Sequence, residues 1–201
     1  MNLYNIAHIL RDRFGWLWNI IDILNSYLFS MRYGKRLNNL NANIKCNEMV
    51  PKEYDLVPLR DVPINEMVSF FEHQPEEAYT YFRPHKFDAK SIMFLQVNKA
   101  FLAYVLRDKT NGRIAGYCFN RSFFHGKGFR GRMVDIDYRG KGLGTAMNKI
   151  LNEVGFGIGL RLFETVSKDN VASYRSAMSA SNVKVVKELE HNELYLEILP
   201  D

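Results

Sequence analysis

Tyr138-Arg139-Gly140-Lys141-Gly142-Leu143-Gly144-Thr145-Ala146 joins two segments of opposite character. Residues 129–137 before it read as a strand, and residues 142–156 after it read as a helix. Glycines at 140, 142 and 144 carry no Cβ, so the backbone can approach a ligand closely. The helix that begins there directs unpaired amides and the positive end of its dipole into the turn. Arg139 and Lys141 add two full charges, and such a turn suits a phosphate or pyrophosphate.

Three phosphate-binding arrangements compete for this turn. A Walker A loop requires Gly-Lys followed by Ser or Thr, and no glycine of the turn is followed that way. A dinucleotide fingerprint needs a third glycine where Thr145 stands, and its acidic partner, Glu164, falls in the middle of an expected strand. The segments before the turn also look like antiparallel hairpins rather than βαβ units. The third arrangement is Arg/Gln-x-x-Gly-x-Gly/Ala, which Arg139, Gly142 and Gly144 satisfy. A glycine-rich turn without a ligand is the bland alternative.

The flanks decide for the third. Tyr138-Arg139-Gly140-Lys141-Gly142-Leu143-Gly144 resembles the acetyl-coenzyme A signature of the GNAT N-acetyltransferase superfamily, and Asn170 with Ser173 resembles the start of that family's next helix. The resemblance covers about residues 52–199 and leaves residues 1–50 outside. It implies acetyl-CoA as co-substrate. Arg139 to Thr145, Asn170 and Ser173 would hold it, with backbone groups of Val134, Ile136 and Asp137 along its pantetheine arm.

The order of elements is independent of that motif. A strand at residues 54–59 precedes a helix capped by Asp61, with Pro63 in its first turn, that runs to His73. Residues 74–99 read as aromatic-rich loop. Strands follow at 101–107 and 113–123, joined by Thr110-Asn111-Gly112, and at 129–137. After the glycine turn come the helix, a strand at 160–166, a helix at 170–180 and strands at 183–188 and 194–199. This order implies an α+β fold, a mostly antiparallel sheet mixed in direction at its centre and flanked by helices.

The chain has 201 residues, enough for one good core with an appendage. Cys46 and Cys118 form no CxxC pair, which argues against a disulfide scaffold or structural zinc, and no metal is expected. The formal charge of +5 is concentrated: residues 107–141 carry nine Lys or Arg against three Asp. A cluster at one turn suits a small polyphosphate ligand, not nucleic acid. A cytoplasmic setting follows, with the inner membrane surface as an alternative.

That alternative rests on residues 14–31, within an extension of residues 1–50 ahead of the 51–201 domain. The run is nearly apolar, and Asp12, Gly15, Asn19, Asp22, Ser26 and Ser30 recur at helical spacing as one polar stripe. Arg11 and Arg13 stand at one end, Arg32, Lys35 and Arg36 at the other. A membrane span would bury Asp22, and a cleaved signal lacks its site. A helix on an anionic membrane surface and a helix packed on the domain or on a second subunit both remain. The second form would make a homodimer.

Acyl transfer to an amine also needs a base, and the candidates are Glu164, Asp135, Asp137 and His125, with Glu164 preferred beside the expected thioester. The resemblance implies a thiolate-protonating Tyr seven residues after Asn170, but Ala177 stands there. Tyr174 takes the role, or water does, or the chain is a poor catalyst. His73, Tyr81, Arg83, His85 and Tyr117 are the expected acceptor contacts, since rings stack on sugars and Arg83 can fork onto phosphate. Phe82-Arg83-Pro84-His85-Lys86-Phe87-Asp88 resembles GNAT-like proteins of bacterial surface-polysaccharide clusters. That resemblance implies an amino sugar carried on a nucleotide or lipid as acceptor.

Overall fold

The computed structural model describes residues 15–43, 48–190 and 192–200. Arg11, Asp12, Arg13, Phe14 and Cys46 lie outside them. The first element is α1 (Gly15–Asn43), followed by β1 (Tyr54–Pro58), α2 (Ile64–His73), α3 (Ala89–Val97), β2 (Phe101–Asp108), β3 (Ile114–Ser122) and β4 (Lys127–Val134). Then come α4 (Leu143–Gly157), β5 (Arg161–Ser167), α5 (Val171–Ala180), β6 (Asn182–Leu189) and β7 (Glu193–Leu199). The strands form one sheet in the order β1-β2-β3-β4-β5-β7-β6. Every pairing is antiparallel except β4 with β5, so the expected mixed sheet is present, with its parallel step at the centre.

Strand alternation sorts the core into two layers. Leu102, Leu106, Cys118, Leu162 and Leu196 point to the α4 side, where they meet Leu143, Met147, Ile150, Leu151 and Val154. Phe101, Ala103, Val105, Tyr117, Phe119 and Met133 point to the other side and meet Met67, Phe70 and Phe71 of α2 with Ile92 and Leu95 of α3. Both layers are shut, so the sheet is held from two faces and its central strands cannot shift register without exposing one layer.

Three local expectations need correction. Asp61 does not cap α2: residues Leu59–Asp61 form a 3-10 turn, and Pro63 occupies the cap position without a side-chain bond. Residues 74–99 are not all loop. Asp88 accepts from Ser91 N at 2.9 Å and starts α3, a cap whose Asp-x-x-Ser spacing was visible in the sequence. The third, β4, stops at Val134, because Asp135 turns its carboxylate onto Asp137 N (3.0 Å) and opens a 3-10 turn over Ile136–Tyr138. Asp135 and Asp137 therefore do not share a strand face. Asp135 is buried and Asp137 exposed.

The helix α1 packs on the domain through Phe29 and Tyr33, which join the α4-side core. Asp22 of its polar stripe faces inward and pairs with Arg121, while Asn19 of that stripe is exposed; beside Asp22's face, Asn25 Nδ2 donates to Ser122 O at 2.9 Å. No described helix is long and apolar enough to cross a membrane.

Candidate active site

The parallel contact of β4 and β5 lasts for three residue pairs, Lys127–Arg161, Gly128–Leu162 and Phe129–Phe163. Beyond them the strands part. Asp135 N bonds Ala115 O of β3 at 3.0 Å. By the two-residue alternation of an antiparallel ladder, the amides of Arg132 and Val134 then point away from β3, into the opening. Amides further along are already taken, Ile136 N by Gln74 Oε1 (3.1 Å) and Asp137 N by Asp135 Oδ1. Of the expected backbone positions, Ile136 and Asp137 thus have their amides occupied, while those of Val134 and of its neighbour Arg132 are directed into the opening.

A cleft of about 540 Å³ fills the gap between the parted strands and runs to the glycine turn. Gly140 and Gly142 have φ of 77° and 75°, the left-handed region that other residues enter only at a cost. Space around both is open, so backbone conformation, not crowding, demands glycine there. Gly144 is different: a Cβ would meet Ser176 Oγ of α5 at 3.1 Å, so it serves helix packing. Thr145 N and Ala146 N fold back onto Gly142 O (both 3.1 Å). Ahead of them, the first helical amides have no carbonyl one turn back. Arg139, Gly140, Gly142, Leu143, Gly144 and Thr145 line the cleft, as do Asn170 and Ser173. Lys141 projects outward, its Nζ 4.5 Å from the centre of the Tyr138 ring.

The second wall is the start of α5. Asn170 Oδ1 accepts from Ser173 N (3.1 Å) and caps the helix, as its position in the sequence implied. Ala177 is fully buried, and Tyr174 packs against the α4-side core, outside the cleft lining. Ser173 and Ser176 line the cleft instead.

Where β4 and β5 separate, three charged side chains meet. Arg130 Nε donates to Glu164 Oε2 at 2.7 Å and Arg132 Nη1 donates to the same oxygen at 3.2 Å. Arg132 Nη2 reaches across to Ser173 O (2.8 Å) and Ser173 Oγ (3.1 Å), tying β4 to α5. Glu164 Oε1 and Arg130 Nη2 are buried without a hydrogen-bond partner among the described residues. Burial pushes the Arg130 guanidinium below its ordinary pKa, and Glu164 draws it back. Glu164 was expected here; its two arginines were not. Their signal was available, because Arg130, Arg132 and Val134 alternate along a strand that runs into the glycine turn.

The other expected residues scatter. Asp135 accepts from Gln74 Nε2 at 2.8 Å and lines a separate hollow of about 610 Å³ between α2 and the β2–β3 hairpin, together with His73. Asp137 takes Arg113 Nη2 (2.8 Å) and His73 Nε2 (3.1 Å), and Arg113 holds its carboxyl below the usual range. His73, Asp135 and Asp137 converge within ligand distance of one another, but the Arg113 guanidinium already stands among them. His85 Nε2 bonds the Tyr117 hydroxyl at 3.0 Å inside a box of Phe71, Phe87, Phe101 and Phe119. Both residues belong to the aromatic layer, not to the cleft. Arg83 bonds Tyr79 O at 3.1 Å, outside the lining, and His125 stacks on Phe123 in the β3–β4 turn. Of the five acceptor contacts only Tyr81 lines the cleft, with Glu77, Ala78 and Phe82 beside it.

No protein-family model and no curated protein sequence matches the chain. Solved structures do. The GNAT domain of PAT from S. lividans is 16% identical with a TM-score of 0.63, covering 73% of this chain and 90% of that one. The yncA protein of Salmonella typhimurium, solved with its cofactor acetyl-CoA, is 18% identical with a TM-score of 0.53, over 73% and 91%. The N-acetyltransferase PseH of Campylobacter jejuni is 14% identical with a TM-score of 0.53, over 72% and 96%. The chain therefore has the fold of the GNAT acetyltransferases, as the glycine turn and the order of elements implied.

Proposed function

We propose that the protein is an acetyltransferase that moves an acetyl group from acetyl-CoA to a small-molecule amine. One observation carries this reading: parallel strands that part after three pairs, with two left-handed glycines and a helix N-terminus at the mouth of the gap. The yncA structure, which has this fold and contains acetyl-CoA, supports the choice of carrier. The residues present fit it. The first amides of α4, with Arg139, suit the diphosphate, and the outward amides of Arg132 and Val134 suit an extended arm bearing amide groups. When bound, acetyl-CoA supplies an activated acyl carbon that is transferred to nitrogen as its bond to sulfur breaks.

The remaining work falls to this chain. Arg130 and Arg132 against the single Glu164 leave one surplus positive charge where the strands separate, placed to stabilise negative charge on oxygen or sulfur at the wall of the cleft. We assign the base to Glu164, whose Oε1 is uncommitted, acting on the acceptor ammonium through water. Water also protonates the leaving thiolate, since Tyr174 packs, half-buried, against the α4-side core outside the cleft lining and Asp135 lies in the other hollow. Glu77 and Glu193 in the cleft lining suit a cationic amine, and Tyr81 with Phe82 suits a sugar face, which supports a nucleotide- or lipid-linked amino sugar as acceptor. Residues 1–50 we treat as an extension to the 51–201 domain, of which the described helix α1 packs on that domain through Phe29 and Tyr33.

A second reading, an acyl-CoA binding module without catalysis, draws on the buried Ala177. Incubation with acetyl-CoA and a panel of amines and amino-sugar nucleotides, followed by free thiol, separates the two. Amine-dependent thiol release is expected, and the product's mass and alkali stability distinguish N- from O-transfer. Calorimetric binding without turnover for every acceptor would favour the module. No heat with millimolar acetyl-CoA or CoA overturns both.

A further inference from the structure

The helix α1 presents an aliphatic face to solvent. Ile20, Leu24, Tyr27 and Met31 are 53%, 56%, 65% and 68% exposed and follow one another at helical spacing. Ile21 and Ile23 widen the strip. The polar face that would ordinarily meet water is spent inside, on Arg121, Ser122 and, through Ser26 Oγ, on Lys99 N. A contiguous apolar strip of this kind marks a contact surface.

Charge selects the occupant. Described α1 holds Arg32, Lys35 and Arg36 and a single acid, Asp22, which is buried against Arg121. Lys35 stands one turn beyond Met31 at the end of the strip, and Arg32 lies on its flank. A second copy in either orientation would bring an identical α1 with no accessible acid for those cations. We propose that this face lies on an anionic lipid bilayer, with α1 parallel to the surface, its aliphatic strip in the acyl boundary and its cations among the headgroups. The inference is independent of the transferase reading.

Co-sedimentation of the full chain with phosphatidylcholine vesicles, with and without phosphatidylglycerol, tests it, with light scattering on the free protein alongside. Binding to the mixed vesicles is expected, several-fold weaker without phosphatidylglycerol and weakened by salt. The double variant Leu24→Glu/Met31→Glu changes only exposed side chains, so it keeps the wild-type melting temperature while binding drops at least about tenfold. Lys35→Glu costs about fivefold or more, at roughly a factor of five per interfacial charge. Absent binding, or equal binding to both vesicles, overturns the proposal. A particle of twice the mass that Leu24→Glu/Met31→Glu returns to one chain assigns the face to a second copy and overturns it equally.

Discussion

Arg130 Nε and Glu164 Oε2 lie 2.7 Å apart with both side chains almost wholly out of solvent, at the point where the central strands separate. Such a pair is strongly context-bound. Removing Glu164 leaves Arg130 and Arg132 buried without their carboxylate, at a cost of about 3–5 kcal/mol, whereas replacing Arg130 and Glu164 together with apolar groups of similar volume leaves only Arg132 uncompensated. Urea unfolding of Arg130→Leu, Glu164→Leu and the double variant should show the singles costing far more than half the double. Additive losses would mean that the two side chains act separately.

Glu164→Gln asks about chemistry instead of stability. The amide keeps the shape and can still accept from Arg130 and Arg132, so affinity for acetyl-CoA should change by no more than about twofold. Losing a proton acceptor at the transfer step should lower kcat/KM by about a hundredfold or more. Equal loss of cofactor affinity and rate would reduce Glu164 to a positioning residue.

Gly142 and Gly144 separate two uses of the same residue type. At Gly142 the φ of 75° penalises any side chain although nothing crowds it, so Gly142→Ala should cost about 1–2 kcal/mol from the backbone alone. That corresponds to a melting temperature lower by about 2–8 °C for a chain of this size. Gly142→Glu adds a negative charge at the mouth and should also weaken acetyl-CoA binding by at least about tenfold. Gly144→Ala pushes on Ser176 and should alter the α4–α5 contact while leaving the turn intact. Calorimetry with CoA on the three variants distinguishes these effects.

What the sequence makes legible here follows from the range of the interactions involved. The glycine turn, the Asn170 cap and the antiparallel hairpin at Gly112 are local, each fixed by residues within one turn of each other, and all three are where the sequence puts them. Glu164 could be placed on the strand beside the opening for the same reason. Its pairing with Arg130 could not, because it depends on how far two strands 34 residues apart stay together. In the sequence His85 and Tyr117 resemble acceptor contacts, because aromatic composition looks the same in a sugar pocket and in a core. Only the second layer under the sheet tells them apart. The stripe on α1 was recognised as a stripe, but its direction depends on Arg121, about a hundred residues away.

His85 gives the pH dependence a defined sign. Burial among aromatic rings lowers its pKa from 6.5 to about 4, so the fold holds it neutral. A His depressed in the folded state stabilises fully above the unfolded value of about 6.5, and that contribution disappears as pH falls toward 4. The shift corresponds to a loss on the order of 3 kcal/mol between about pH 7 and pH 4. Urea midpoints across that range should fall for the wild type. The double variant His85→Phe/Tyr117→Phe removes both ends of the hydrogen bond and should flatten the dependence. An unchanged slope would place the acid-sensitive group elsewhere.

Tyr174 and Ala177 decide how the thiolate gets its proton. Tyr174 packs, half-buried, against the core cluster that contains Leu143 and Met147, while the cleft wall beside it is made by Ser173 and Ser176. Tyr174→Phe keeps that packing and removes only the hydroxyl. If water is the acid, kcat should stay within about twofold and the alkaline limb of its pH profile should not move. A fall of a hundredfold or more, with the limb displaced, would restore Tyr174 as proton donor. The reverse substitution, Ala177→Tyr, places a large ring where no solvent reaches and should cost about 1–3 kcal/mol by overpacking without raising the rate. A gain in rate from that variant would show that the cleft can admit a phenol from α5 after all, and that the present residue limits an otherwise complete site.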